Sequence, residues 1–428
     1  MKSRKGVATA GRLALAVGFA AVTHLLYDIE ISGIEHDSGA PRTYYAITHR
    51  RDLDSIAPVP LIVAHRGWSG LSGDLRFAMR ADSLERGFLA RVLPRPRWLS
   101  HVLRRLSVGP VLRSVGVFPI ESLRISPAER WLRAALANDG DALASQALAP
   151  AFVARLAHVA GDDAAALARQ RLSWLLRWRY HLALQAYSGP ELFAGEAKRR
   201  AERRAVAAVK RTLADQAEWL WQGGSLYSAP EGKFSPDGHF SPITGGFHRV
   251  LRAAPAETRV VPLAIMYDFM TAGRLRVVVD LAPAITRAPG LPPRELDACL
   301  RRAWRDAATL TCTHLASGWL ARRASAAPGS ARFTARELAR AVYEQAHALA
   351  ATGRHVDARL LAPAGVRRRT RAYLTYAARH GYVRAVDGGQ WEVLPAPPMP
   401  RVALGAAGYR IAPLPYALNE LEELLADG

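Results

Sequence analysis

The sequence predicts an α/β fold, and two observations lead to this prediction. Half of the 428 residues are hydrophobic, which excludes a disordered chain and provides for a sizeable core. Short runs of the buried-strand type alternate with helix-length stretches between about residues 29 and 290. These runs are 29–34, 44–47, 59–64, 115–120, 225–228, 259–267 and 275–281. One interval, about 127–211, shows only helical spacing and is predicted to be a helical insertion.

The two ends of the chain differ from this α/β domain, which we place at residues 29–290. Residues 1–28 contain an apolar run behind Lys2, Arg4 and Lys5, but the run is shorter than the roughly 20 residues that span a bilayer. No small-x-small cleavage site follows it, so a signal peptide is not predicted. We expect a helix that lies at a membrane interface or packs on the main domain.

Residues 291–428 are predicted to be mostly helical. Thr334 and Glu337 have the spacing of a capping box that opens a helix, and a second helix runs through RRRTRAYLTYAARHGY. A hairpin is expected around Gly388 and Gly389. Helix, helix and hairpin fit a winged-helix module, although basic helices are more often solvated faces.

The charge of the chain requires an anionic partner. The formal net charge is +21 and the pI is about 10.7. Nucleic acid, an anionic membrane, a phosphorylated substrate and an acidic carrier protein all satisfy this requirement. The two cysteines, Cys299 and Cys312, are too few for a disulfide scaffold and lack metal-ligand spacing, so no metal site is predicted.

The stretch ITHRRDLDSI places His49 directly after a predicted strand and Asp54 five residues later. A short turn can bring such a carboxylate back to the imidazole, where it fixes the tautomer and stabilises the imidazolium formed by proton uptake. The spacing alone is weak evidence, because His158 and Asp163 share it inside the helical insertion. We interpret that second match as chance.

Three later stretches strengthen the first match. GVFPIES ends a strand with Glu121, and SAPEGKFS places Pro230, Glu231 and Gly232 just after another strand. VVPLAIMYD puts Pro262 in a strand-like run, which favours an edge strand or the beginning of a strand. Glu121 as a helix cap and Pro-Glu-Gly as a plain turn are the alternatives for each stretch taken alone.

In order and character these four stretches resemble the blocks of the phospholipid/glycerol acyltransferase family, which includes lysophosphatidic acid and glycerol-3-phosphate acyltransferases. The family's blocks N-H-x-S-x-x-D, G-x-x-F-I-D-R, F-P-E-G-T-R-S and V-P look here like THRRDLD, GVFPIES, APEGKFS and VVPLA. The resemblance covers roughly residues 29–285 and leaves the last third of the chain unexplained. It implies a mixed β-sheet flanked by helices.

The resemblance also implies an activity and a set of site residues. His49 would be the general base that takes the proton of an acceptor hydroxyl, with Asp54 orienting it. The hydroxyl would attack the thioester of acyl-CoA or acyl carrier protein directly, and neither a Gly-x-Ser-x-Gly elbow nor a well-placed Cys nucleophile occurs. No cofactor is expected beyond this co-substrate. The expected substrate-binding residues are Arg51, Glu121, Glu231, Gly232, Lys233 and Pro262.

Two departures from the family concern the acceptor's phosphate. Ser122 and Phe234 replace the arginines that help to hold it in the family, while Arg51 and Lys233 add positive charge nearby in sequence. Either Arg51, Lys233 and Arg124 rebuild the phosphate site, or the acceptor lacks a terminal phosphate and is a lysophospholipid with a capped headgroup, a glycolipid or another alcohol. We favour the first hypothesis.

The expected partners are a glycerolipid acceptor, the acyl donor and an anionic membrane surface. Between residues 91 and 113 six arginines and no acid are interleaved with apolar residues, a composition suited to peripheral adsorption on the cytoplasmic face of a membrane. The alternatives are a solvated face and a patch that receives the phosphates of CoA or an acidic carrier protein. Nucleic acid is not an expected partner, although a non-catalytic binding protein whose C-terminal module contacts nucleic acid is the competing interpretation. A degenerate acyltransferase is a third possibility, opposed by the retained His49 and Asp54.

Overall fold

A computed structural model gives the structure of the chain in two compact units, residues 1–77 with 217–428 and residues 78–216. The structure describes residues 17, 18, 20, 21, 23–25, 27–51, 54, 74–85, 106, 107, 109–114, 116–121, 126–184, 187–286, 288–327, 331–394, 402, 403 and 410–426. The run predicted as a strand at 59–64 and most of the basic patch at 91–113 lie outside these residues.

Strands occur at six of the seven predicted positions, the seventh lying outside the described residues. In chain order the strands are β1 (Tyr27–Ser32), β2 (Thr43–Ile47), β3 (Leu75–Arg80), β4 (Val117–Ile120), β5 (Ser126–Pro127), β6 (Tyr187–Ser188), β7 (Ser225–Ser228), β8 (Arg259–Asp268), β9 (Leu275–Leu281), β10 (Arg332–Thr334), β11 (Val383–Val386), β12 (Gln390–Val393), β13 (Val402–Ala403) and β14 (Arg410–Ile411). The predicted bounds of β7 and β9 are confirmed to the residue.

Helices lie in several of the intervals between the described strands, and described residues from 17 to 25 are also helical. In chain order the α-helices are α1 (Gly109–Ser114), α2 (Ala128–Asp139), α3 (Ala144–Ala147), α4 (Pro150–Ala160), α5 (Ala164–Ala168), α6 (Leu172–Leu175), α7 (His181–Leu184), α8 (Gly195–Trp221), α9 (Gly245–Ala253), α10 (Pro293–Ala307), α11 (Cys312–Ala326), α12 (Ala335–Ala351), α13 (Pro363–Arg379) and α14 (Pro413–Leu425). In the described part of the chain, no helix has both the length and the apolar character needed to cross a membrane.

A mixed sheet of seven strands, flanked by helices, confirms the predicted α/β class. The strand order is β1-β9-β8-β2-β7-β3-β4. Strands β8, β2, β7 and β3 run parallel, while β1 and β9 run together in the opposite direction. All five residues of β2 and nine of the ten in β8 are buried, as expected for strands covered on both faces.

The edge position considered for the strand of Pro262 is wrong. Strand β8 lies inside the sheet, between β2 and β9. Proline is tolerated there because pairing with β9 begins only at the next residue, Leu263, and the carbonyl of Pro262 accepts the amide of Ala282 beyond the end of β9. The missing N–H therefore falls outside the β8–β9 ladder.

The second unit is largely helical and has a core of its own. Apolar side chains between Ala128 and Ala205 form one buried cluster, which includes Leu132, Leu156 and Leu175. Within residues 126–216 that the structure describes, the only strands are the two-residue pair β5 and β6. The sequence predicts only helices in the interval 127–211, so this short pair of strands departs from the prediction, while the other regular elements described there are helices.

The C-terminal elements match the predicted order of helix, helix and hairpin. Thr334 caps α12, and the side chains and backbone amides of Thr334 and Glu337 bond reciprocally in a capping box. Strands β11 and β12 form the hairpin, and β10 adds a third strand beside β12. These residues belong to the same compact unit as β2, β7, β8 and β9.

Candidate active site

The candidate site lies at the carboxyl ends of three neighbouring parallel strands. His49 follows β2, Glu231 follows β7, and Tyr267 is the penultimate residue of β8. Because β7, β2 and β8 are adjacent and parallel, the loops that leave their carboxyl ends meet at one edge of the sheet. This edge is where α/β folds most often place their sites.

His49 and Asp54 form the predicted pair. The Nδ1 atom of His49 lies 3.1 Å from Oδ2 of Asp54, and the Asp54 side chain is fully buried. The same oxygen accepts the backbone N–H groups of Arg50 at 2.6 Å and Arg51 at 2.8 Å. The turn therefore wraps around the carboxylate, which holds both the loop and the imidazole.

Two tyrosines complete the surroundings of Asp54, and the sequence analysis missed both. The Tyr267 hydroxyl donates to Oδ1 of Asp54, and the Tyr227 hydroxyl donates to the Asp54 carbonyl oxygen at 2.7 Å. Burial, with Asp54 adding to it, raises the pKa of both hydroxyls well above the ordinary value, so both remain donors. Both residues stand in strands, β7 and β8, without a spacing that relates them to Asp54.

Glu231 holds the backbone that carries His49. Its Oε2 atom accepts the His49 N–H at 2.6 Å, and its Oε1 atom accepts the Ser241 N–H at 2.5 Å. Burial raises the pKa of this carboxyl, while Arg50 and the two amide contacts oppose the rise. The amide of Ser235 also donates to the His49 carbonyl, at 3.1 Å. The loop after β7 thus fixes the loop after β2.

The residues that follow Glu231 have different surroundings. Gly232 has a φ of +66°, and a Cβ there would lie 2.9 Å from Thr244 Cγ2, so the turn requires glycine. Lys233 is exposed. Phe234 is buried, and its ring centroid lies 4.2 Å from that of His49. The position where the family has an arginine is therefore used here to pack the imidazole.

Arg50 connects the His49 loop to the C-terminal helix α14. Its fully buried guanidinium donates from Nη1 to the Gly238 carbonyl at 2.8 Å and stacks on Phe240. Glu420 of α14 places Oε1 3.6 Å from Arg50 Nε and Oε2 3.2 Å from His314 Nε2. This network joins segments from both ends of the chain and was also missed.

Arg51 points to a different part of the site. Its guanidinium carbon lies 5.2 Å from the ring centroids of both Tyr267 and Phe269. The structure brings His49, Arg51, Asp54 and Glu231 together, with Gly232 and Lys233 in the adjoining turn. Pro262 pairs in register with Ala46, three residues before His49.

Glu121 lies in the second unit, directly after β4. Its carboxylate oxygens accept Arg130 Nη2 at 2.7 and 2.9 Å. Ser122 and Arg124 lie outside the described residues. Among those that are described, no group of three or more His, Cys, Asp or Glu side chains is arranged to hold a metal ion.

The geometry leaves His49 ready to accept a proton. With its Nδ1–H donated to the carboxylate, the imidazole presents the lone pair of Nε2, and no described residue bonds that atom. The side chain is 18% exposed, so the ring is held in place and remains accessible to a substrate.

No protein-family model and no curated protein matches the chain.

Proposed function

We propose that this protein is an O-acyltransferase that moves a fatty acyl group from acyl-CoA or acyl carrier protein to a hydroxyl of a glycerolipid. The observation that carries the proposal is the His49–Asp54 pair, whose carboxylate bonds Nδ1 and leaves Nε2 free at the edge of the sheet. The resemblance of the four sequence blocks supplies the reaction class. The buried and fully bonded Asp54 argues against a degenerate site.

The reaction proceeds as direct transfer. Nε2 of His49 takes the proton of the acceptor hydroxyl while its oxygen attacks the thioester carbonyl carbon. The tetrahedral intermediate collapses, the C–S bond breaks, and the leaving thiolate takes the proton back from the imidazolium. The products are an ester and a free thiol. Asp54 stabilises the transient imidazolium and keeps the ring in one tautomer.

The acceptor's phosphate is assigned to Arg51 and Lys233. Phe234 packs on His49, so this position offers no charge to a phosphate. Arg51 is partly exposed and makes no ion pair within the described residues, and Lys233 is exposed in the neighbouring turn. These two cations support a lysophosphatidic acid-like acceptor over one with a capped headgroup.

Peripheral attachment to the cytoplasmic face of a membrane completes the proposal. Leu25, in the N-terminal helical segment, is 75% exposed, and Leu106 and Val111 at the end of the basic stretch are also exposed. Apolar side chains beside arginines suit the interface of an anionic bilayer.

The test measures thiol release from palmitoyl-CoA, and from an acyl carrier protein donor, with lysophosphatidic acid, lysophosphatidylcholine and glycerol 3-phosphate as acceptors. We expect acceptor-dependent release with a preference for lysophosphatidic acid. Replacing Arg51 with alanine should raise KM for lysophosphatidic acid and leave KM for lysophosphatidylcholine unchanged. Arg249→Ala, an exposed site on α9, is the control.

A preference for the capped lipid, insensitive to Arg51→Ala, would reject the phosphate assignment and keep the transferase. Absence of acceptor-dependent release with both kinds of donor would reject the transferase itself.

A further inference from the structure

Two pairs of arginines face a common groove in the C-terminal part of the first unit. Arg336 and Arg340 stand one turn apart on α12, and Arg367 and Arg371 one turn apart on α13. All four are exposed and line a groove of about 680 Å³ between the N-terminal halves of the two helices. Like charges one turn apart repel each other, so helix stability does not explain this arrangement.

Of the residues that line the groove, four are arginines and one, Glu337, is an acid. Glu337 Oε2 accepts the backbone N–H and the hydroxyl of Thr334, at 2.6 and 2.9 Å, and its negative charge offsets one of the four positive charges. Arg340 has one ion pair, to exposed Glu344 at 3.8 Å. Within the described residues the other three arginines make no ion pair, and α13 contains no acid. The lining of the groove therefore keeps a net positive charge.

The positive surface continues past the groove. Arg368 and Arg379 are also exposed on α13, and their separation of 11 positions corresponds to about 16 Å along a helix. The opposite side of α13 is used for packing, since Arg369 Nε bonds Asp268 at 3.0 Å and Tyr373 is buried. The outward face is thus longer than a single phosphate group needs.

The composition of this surface distinguishes between polyanions. A helix that lies on a bilayer presents large apolar side chains beside its cations. None of residues 331–394, all of which the structure describes, is an exposed large hydrophobic residue. An extended row of arginines without such anchors fits the closely spaced phosphates of a nucleic-acid duplex, which carries one charge per about 1.7 Å of helix axis.

We propose that the groove between α12 and α13 binds the phosphate backbone of a nucleic-acid duplex. The binding is electrostatic and independent of base sequence, because the contacts are those of guanidinium groups with phosphate oxygens. The site lies on the face of α13 turned away from Arg369, and the proposal does not depend on acyl transfer.

The experiment uses the full chain and a short fluorescent DNA duplex in a salt titration followed by anisotropy. The variant Arg367→Gln/Arg371→Gln is compared with Arg249→Gln/Arg252→Gln, which removes the same charge from exposed positions on α9. We expect the first variant to weaken binding about tenfold to thirtyfold at about 0.15 M salt and to reduce the salt slope by about 1.8. The second should leave both values close to wild type.

Three results would overturn the proposal. If both variants lost the same affinity for the duplex, the binding would depend on the net charge of the whole chain and not on the groove. Displacement of the duplex by a nucleoside triphosphate at equal phosphate concentration would assign the groove to a small polyphosphate. Loss of binding to phosphatidylglycerol vesicles, with duplex binding intact, would assign it to a membrane. Thermal unfolding of both variants checks that each is folded.

Discussion

The two units each contain a histidine followed five residues later by an aspartate, and the two pairs are built differently. His49 and Asp54 leave a buried strand, and the Asp54 carboxylate bonds the imidazole and two backbone amides. His158 is exposed in the last turn of α4, while Asp163 caps α5 by accepting the Ala166 N–H at 2.8 Å. One aspartate positions a side chain, and the other begins a helix.

The difference comes from what precedes the histidine and what surrounds the aspartate. After β2 the chain must turn, and the Arg50 and Arg51 amides converge on one carboxylate. After α4 the next residues start another helix, whose free amides attract the aspartate instead. The same spacing therefore produces a hydrogen-bonded His–Asp pair only where backbone amides of the intervening turn bond the carboxylate and residues distant in sequence bury it.

The first prediction compares the activities of variants at the two histidines. Replacing His49 with alanine should lower acceptor-dependent thiol release about 10²- to 10⁴-fold, because the general base is lost. His158→Ala, the matched variant, should retain wild-type activity, since the side chain is exposed and bonds no described residue. Steady-state rates with palmitoyl-CoA and the best acceptor measure both. Equal activity of the two variants would contradict the assignment of His49.

The second prediction compares the two aspartates. Asp54→Asn places an amide N–H₂ among four donors, so we expect at least about a hundredfold loss of activity and a loss of about 1–3 kcal/mol in the free energy of unfolding. Asp163→Ala removes a helix cap, which should cost about 1 kcal/mol and leave activity intact. Rates and chemical unfolding are measured on both. If Asp163→Ala lost activity, or if Asp54→Asn kept it, the two aspartates would not differ in function as proposed.

The third prediction concerns the buried Arg50–Glu420 contact beside the His49–Asp54 pair, which has no counterpart described at His158 and Asp163. Glu420→Gln leaves the buried Arg50 guanidinium without its carboxylate, which should cost about 3 kcal/mol of stability. Because Arg50 lies between His49 and Arg51, we also expect kcat to fall about tenfold, as the base is displaced, and KM for lysophosphatidic acid to rise, as Arg51 moves with it. Glu422→Gln, exposed on the same helix, should change stability by less than about 0.5 kcal/mol. Reduced stability with normal kcat would make Glu420 purely structural.

Sequence patterns predict the features that a few neighbouring residues determine, such as strands, helix caps and turns. The other features of the site depend on contacts between residues that are distant in sequence. The strands β7 and β9, the Thr334 capping box and the turn that carries His49 and Asp54 follow from runs and spacings of a few residues. Tyr267 reaches Asp54, and Glu420 reaches Arg50, only because the sheet and α14 bring remote segments together. The interior position of β8 does not follow from local sequence for a similar reason: Pro262 lies just before the first residue of β8 that pairs with β9, and no local pattern records where that pairing begins.

The last prediction concerns two carboxylates, one in each unit, whose contributions to stability change with pH in opposite ways. Asp280 of β9 is buried and bonded by Thr309, and burial raises its pKa to about 6. Asp139 in the second unit lies between Arg200 and Arg204, and the hydrogen bond from Arg204 lowers its pKa. The folded state therefore takes up a proton at Asp280 before the unfolded state does, whereas the reverse holds at Asp139.

Between about pH 7 and about pH 5, protonation of Asp280 should stabilise the wild type by about 1.3 kcal/mol relative to Asp280→Asn. Chemical unfolding of both proteins at the two pH values measures this difference. Asp139→Asn is the control from the second unit, and its free energy of unfolding should differ from that of wild type by the same amount at both pH values. The stabilisation by ionised Asp139 is lost only as the pH falls below the ordinary aspartate pKa of about 3.8. If the difference in free energy of unfolding between Asp280→Asn and wild type did not change with pH, Asp280 would not titrate between these pH values. The buried Asp280 and the ion-paired Asp139 would then have the same pH response in this range.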